Sequence, residues 1–204
     1  MKLALLPAAG KSTRMGRPKL ALPLGERTIL AHVLDTLRRS EIDDIVVVLG
    51  PHVRELAPMA RGSGAHVCQL AEETADMRAT VEQGLHWLEE RFQPRPDDPW
   101  LLVPADHPAL APAVIGELEQ SRQSNPARSI FVPTFHGRRG HPLMLTWQHV
   151  HGIRAHTIGE GLNTYVRKRA ADVLEVPVAN EAVLWDLDTP EDYEALRLQW
   201  PLPC

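Results

Sequence analysis

Three short, almost wholly apolar runs constrain this chain more than any other feature: residues 2–6, residues 44–50 (DIVVVLG) and residues 100–104 (WLLVP). A strand buried on both faces reads as a continuous hydrophobic run, the pattern of a parallel sheet covered by helices on each side. The segments between the runs supply those helices. Residues 27–39 place Ile29, Leu30, Val33, Leu34 and Leu37 on one helical face, and residues 76–92 do the same with Val81, Leu85 and Leu88. Further helices are expected over residues 52–61 and 113–123, and further strands over 64–70, 129–133, 141–145 and 173–178. A closing helix over 190–200 begins with proline in its first turn. This alternation predicts an α/β fold with a mostly parallel sheet, in one domain over residues 1–204. Residues 93–99 (QPRPDDP) read as the softest connection.

Composition bounds the function. A chain of 204 residues buries roughly 70% of its unfolded surface, enough for a core and one or two clefts. Its 22 Lys and Arg against 26 Asp and Glu give a net charge of -4, which argues against a nucleic-acid surface, where a basic excess is the rule. No apolar run approaches the roughly 18 residues of a membrane span, and residues 3–9 are too short for a secretory signal. Cys68 and Cys204 stand far apart, outside any zinc or disulfide spacing, so a reducing cytoplasmic setting is expected.

The charge is unevenly spread. Residues 1–25 carry Lys2, Lys11, Arg14, Arg17 and Lys19, and the first carboxylate is Glu26. After the first strand come the small residues Pro7, Ala8, Ala9 and Gly10, then a stretch of hydroxyls and cations from Lys11 to Lys19. Small residues let backbone N–H groups approach an anion, and the cations supply the charge that pyrophosphate oxygens require. A phosphate-cradling loop at a strand's carboxyl end follows. It is not a Walker A loop, because Leu5 stands where that motif needs glycine, and no dinucleotide fingerprint fits Gly10 and Gly16.

Carboxylates recur at two points. Asp106 directly follows the third apolar run, where a lone acid must face solvent, a cation or a ligand. Asp186 and Asp188 sit two apart, on one side of an extended segment. Hard cations such as Mg²⁺ take one or two carboxylates plus substrate phosphates, so a nucleoside triphosphate with Mg²⁺ suits this set. A purely structural alternative makes Asp188 or Thr189 the cap of the closing helix. Five of the ten histidines (His136, His141, His149, His151, His156) lie close in sequence. His149 and His151 could ligate a transition metal, although exposed loop positions are the favoured reading.

Residues 6–20, LPAAGKSTRMGRPKL, resemble the LAAGxSxRMGxxK signature of nucleotidyltransferases related to molybdenum cofactor synthesis. PADHP around Asp106 resembles that family's D-x-P, GRRGHP at 137–142 its GxxGHP, and DLDTPED at 186–192 its DIDTPEDL ending. On these residues the chain is identified as a member of the MobA-like NTP transferases, on the side of the molybdenum cofactor cytidylyltransferases. The resemblance implies a three-layer α/β/α sandwich of the nucleotide-sugar transferase (GT-A-like, Rossmann-like) type. It implies transfer of CMP from CTP to a molybdopterin-type phosphate, with Mg²⁺, or alternatively Mn²⁺, as cofactor and a molybdoenzyme or its chaperone as recipient. The alternatives are guanylyl or other nucleotidyl transfer to another phosphorylated acceptor, or a non-catalytic nucleotide-binding module.

By the same resemblance Ala8, Ala9 and Gly10 lie near base and ribose, and Lys11, Ser12, Arg14 and Lys19 hold the triphosphate. Lys19, Arg14 and Asp106 form the catalytic set, with Asp106 on the metal and Asp186 or Asp188 as second acid. Gly140, His141 and Pro142 wall the acceptor, and Thr80, in a segment like the family's RxxSVxxGL, contacts the nucleotide. The Ala9 methyl narrows the base pocket toward a pyrimidine, where guanylyl-transferring members more often read LAGG. The chain departs from the pattern at Pro7, where alanine is usual, and at His107, where Gln or Met is commoner.

Overall fold

A computed structural model describes residues 1–155 and 161–200. His156 and Cys204 lie outside the described residues. The strands are β1 (Leu3–Ala8), β2 (Pro23–Leu24), β3 (Arg27–Thr28), β4 (Asp44–Leu49), β5 (His66–Gln69), β6 (Pro99–Leu102), β7 (Ile130–Phe135), β8 (Arg138–Arg139), β9 (Leu143–Thr146) and β10 (Val173–Pro177). The helices are α1 (Ile29–Arg38), α2 (Ala57–Gly62), α3 (Met77–Phe92), α4 (Pro112–Ser124), α5 (His149–Arg154), α6 (Leu162–Lys168) and α7 (Pro190–Gln199). The main sheet runs β10-β7-β9-β6-β1-β4-β5, with β8 paired to β7. β9 lies antiparallel between β6 and β7, and β8 antiparallel to β7; the other pairings in this sheet are parallel.

Alternation along β1 and β4 assigns the two covering layers. Ala4, Leu6 and Ala8 of β1, with Val47 and Leu49 of β4, pack under α1, α2, α4 and Tyr193 of α7. Leu3 and Leu5, with Val46 and Val48, pack under α3, α5 and α6. Both sets are buried, which explains why these strands show no polar alternation in the sequence. α3 lies close on the sheet because it presents Gly84: a Cβ there would come within 2.2 Å of Leu5 Cδ1 and 2.7 Å of Val48 Cγ2.

The predicted elements recur, with three informative differences. Residues 149–154 and 162–168, whose short apolar pattern predicts no element, form α5 and α6, and their apolar residues complete the second layer. Residues 93–99 are pinned rather than soft. Asp98 Oδ2 accepts from Arg95 N at 2.7 Å, while Trp147 N and Gln148 N donate to Asp98 O and Pro96 O at 2.9 and 2.8 Å. Pro7 sits inside a central strand, where proline is normally excluded. Val103 N donates to Leu5 O at 3.0 Å, and the next rung of a parallel ladder would run from residue 7 N–H to Val103 O. Proline has no N–H to give, so β1 pairs with β6 only from Leu3↔Trp100 as far as Leu5↔Leu102 and the two strands part there.

That parting falls at the topological switch point. From β1 the chain steps to β4 and β5 on one side, then returns to β6 on the other. Ligands in open α/β sheets bind in the crevice outside the carboxyl ends of the strands at such a point.

Candidate nucleotide-binding and catalytic site

The loop after β1 covers this crevice. It passes through two 3₁₀ turns, Thr13–Met15 and Lys19–Ala21, with Ser12 and Gly16 in left-handed conformation (φ 52 and 65). Met15 is buried and anchors the loop to the core. Ser12 Oγ accepts from Lys19 N at 3.2 Å, tying the two turns together, and His52 Nε2 lies 3.0 Å from Gly10 O. Beneath the loop is a cavity of about 240 Å³, walled by Pro7, Ala8, Gly10, Ser12, Thr13, Arg14, Lys19, Asp106 and Asp188 among others.

The acids predicted around a metal are divided by the fold. Asp106 follows β6, and Asp188 precedes α7. Both reach the same cation, with Lys19 Nζ donating to Asp106 Oδ2 at 2.5 Å and to Asp188 Oδ1 at 3.0 Å. Arg14 Nη2 lies 2.8 Å from Asp188 Oδ2. Burial opposes the charge on Lys19, but the two carboxylates outweigh it and hold the ammonium above its ordinary pKa. Asp186 turns instead to His107, whose Nε2 is 2.6 Å from Asp186 Oδ1. That hydrogen bond, against the opposing effect of burial, keeps the Asp186 carboxyl below the usual range. Asp188 is free for this role because Thr189 caps α7: its hydroxyl accepts from Asp192 N at 3.2 Å, and Asp192 Oδ2 accepts from Thr189 N and Asp188 N. The capping alternative therefore falls to Thr189, in a full capping box.

Beside the loop, a cavity of about 570 Å³ extends from Asp106, Asp186 and Asp188 past Pro7 to His141, Leu143 and Asn163. Gly140 and His141 are held by backbone bonds, Gly140 N to Pro133 O and His141 N to Val183 O, both 2.8 Å. The His141–Pro142 peptide is cis. Burial lowers the His141 pKa, with His107 adding to the effect; their rings meet edge to face at 5.4 Å. A third cavity, of about 270 Å³, shares His141, Leu143 and Asn163 and adds Arg139 and Arg167, with no acid in its lining.

Four residues lie elsewhere than expected. Ala9 packs against the second apolar layer and Gly50 rather than lining the cavities described above. Thr80 is buried, with its hydroxyl 2.6 Å from Thr74 Oγ1 and 3.2 Å from Asp76 O, so it fastens the start of α3; Asp76, Met77 and Arg78 line the larger cavity instead. Lys11 pairs with exposed Glu73 at 2.7 Å. His149 is a buried residue of α5, 2.8 Å from Ser129 Oγ and 3.0 Å from Tyr165 Oη, and not an exposed loop histidine. Two residues apart on a helix, His149 and His151 point to different sides. Among the described residues no group of three or more His, Cys, Asp or Glu clusters as a metal site. The His107 contact with Asp186 and the use of Leu187 O by Lys19 had no signal in sequence, since each joins segments some 80 or more residues apart.

A basic loop over the switch point faces carboxylates from two other segments, and the family and relatives of this chain define a nucleotidyltransferase. More particularly, the chain belongs to the MobA-like NTP transferase domain family, whose profile matches residues 4–173. It is similar to the purine catabolism protein PucB of Bacillus subtilis, 29% identical over 202 residues, covering 93% of each chain. A shorter match, 46% identical over 52 residues, is to the 2-C-methyl-D-erythritol 4-phosphate cytidylyltransferase of Shewanella frigidimarina; it spans 24% of this chain and 22% of that one. Among solved structures, Rv0371c of Mycobacterium tuberculosis H37Rv in complex with manganese superposes with a TM-score of 0.73 at 26% identity, covering 97% of this chain and 98% of that one.

Proposed function

We propose that this nucleotidyltransferase moves CMP from CTP to the phosphate of a molybdopterin-type cofactor, releasing pyrophosphate. The observation that carries the reading is the convergence of Asp106, Asp188, Lys19 and Arg14 at the switch point. The two carboxylates already share one cation and offer oxygen donors only, the set a hard divalent ion takes. Asp106 and Asp188 would hold Mg²⁺, or Mn²⁺ as the manganese complex of a relative suggests. Asp186, engaged by His107, is the weaker candidate. When bound, the metal neutralises phosphate charge and fixes the reacting geometry.

In the proposed step an acceptor phosphate oxygen forms a bond to the α-phosphorus in line, as the bond from that phosphorus to the bridging oxygen breaks and pyrophosphate leaves. A phosphate monoester has its second pKa near 6, so it is mostly ionised at neutral pH and needs no general base. The chain's task is orientation and charge neutralisation. Arg14 and Lys19 neutralise the leaving pyrophosphate, and Ala8, Gly10 and Ser12 line the nucleotide side. Gly140, His141 and Pro142 wall the acceptor, with Arg139 and Arg167 beyond them suited to an anionic acceptor tail. Among the described residues Cys68 is a free thiol, in keeping with a reducing, cytoplasmic setting. A second reading, transfer to an alditol phosphate, is favoured by the short match to an erythritol-phosphate cytidylyltransferase.

The test is pyrophosphate release from CTP, GTP, ATP and UTP, with and without molybdopterin. Release from CTP only with that acceptor is expected, and release with an alditol phosphate alone would select the second reading. Asp106→Asn should abolish metal-dependent release; full retention would remove Asp106 from the mechanism.

A further inference from the structure

Lys19 is drawn by the proposed chemistry toward phosphate, yet its ammonium is fully engaged elsewhere. It donates to Asp106 Oδ2 at 2.5 Å, Leu187 O at 2.8 Å and Asp188 Oδ1 at 3.0 Å. An ammonium has three donors, so none is left over. The side chain is only 16% exposed, and Asp106 beside it 20%. Arg14 holds the other oxygen of Asp188. The cations that would serve the triphosphate are thus spent on the acids that would serve the metal.

We propose that Lys19 is an internal cation for the Asp106 and Asp188 pair, keeping a divalent ion out until a triphosphate draws the lysine away. This rests on the proposed nucleotidyl transfer. Two neighbouring carboxylates, partly shielded from water, require a positive partner. A divalent ion competes with the ammonium for the same oxygens and is repelled by it. A triphosphate removes both obstacles, because it gives Lys19 and Arg14 new anionic partners. Metal and nucleotide therefore enter as a unit. By linkage, each raises the affinity of the other by the same factor.

The experiment measures Mn²⁺ binding through the EPR signal of the free ion, with wild type and Lys19→Met, each with and without CTP, against a protein-free reference of Mn²⁺ and CTP that accounts for the ion held by the nucleotide itself. Without nucleotide, the wild type is expected to bind Mn²⁺ about ten-fold or more weakly than with CTP, within the usual range of such couplings. Lys19→Met should bind Mn²⁺ alone about ten-fold more tightly than the wild type does, by the same coupling, and lose most of the CTP dependence. Equal Mn²⁺ affinity of the wild type with and without CTP overturns the lysine's role while leaving the nucleotidyltransferase reading intact. So does a folded Lys19→Met whose Mn²⁺ affinity is unchanged. If Lys19→Met does not fold, Lys19→Gln, which also removes the charge, is measured in its place, with the same expected and overturning results. Failure of the wild type to bind Mn²⁺ in the presence of CTP, GTP, ATP or UTP overturns both the metal assignment and this proposal.

Discussion

Gly140→Ala tests whether the acceptor wall is as unyielding as its contacts imply. A Cβ at this position would lie 2.3 Å from Val183 O and 2.8 Å from Val183 C. These are backbone atoms, and Val183 O is itself fixed by the hydrogen bond from His141 N. Relief requires the segment around Val183 or the strand turn at 140 to move, straining or breaking the 2.8 Å bonds of Gly140 N and His141 N. Overpacking costs about 1–3 kcal/mol and loss of one of these two bonds about 1 kcal/mol more, so a loss of about 2–4 kcal/mol is expected. For a chain of this length that lowers the Tm by very roughly 4–16 °C. Gly116→Ala is the control: it lies in α4, where an added Cβ would meet nothing within 4 Å, and should gain about 0.5–1 kcal/mol from helix propensity. Differential scanning fluorimetry reads both. Kinetics then separate the site from the scaffold, since Gly140→Ala should raise the acceptor KM more than the CTP KM. A Tm within a degree of wild type, with unchanged acceptor kinetics, would refute the reasoning that Val183 is a fixed wall.

Thr80→Val should cost about 1 kcal/mol of stability through loss of its bonds to Thr74 and Asp76, yet leave the CTP KM unchanged; a large KM increase would restore Thr80 to the nucleotide. Burial lowers the pKa of His149, so the folded state holds it neutral. Its folded pKa is below the unfolded value near 6.5, so its contribution is complete above that pH and is lost as pH falls toward the folded value, at up to about 1.4 kcal/mol per pH unit. Urea melts from pH 7.5 to 5 should show His149→Gln with a shallower loss than wild type, and an unchanged slope would exclude His149 as a source.

The sequence by itself determined what local chemistry can encode. Short, β-branched, almost wholly apolar runs such as residues 44–50 read as strands covered on both faces, and helical spacing in residues 27–39 and 76–92 names the covers. The acid-free first segment and the carboxylates at 106, 186 and 188 announced the site's ingredients. The short helices at 149–154 and 162–168 were illegible because so few turns establish no period. Tertiary structure alone decided the pairings. Asp186 and Asp188 are equivalent by spacing, yet one meets His107 and the other Lys19, because Thr189 caps α7 and leaves Asp188 free. Pro7, in sequence the first small residue after the strand, becomes the residue inside β1 whose missing N–H ends the β1 and β6 ladder beside the crevice. Which cation a carboxylate meets depends on contacts between segments dozens of residues apart, and no local pattern records those.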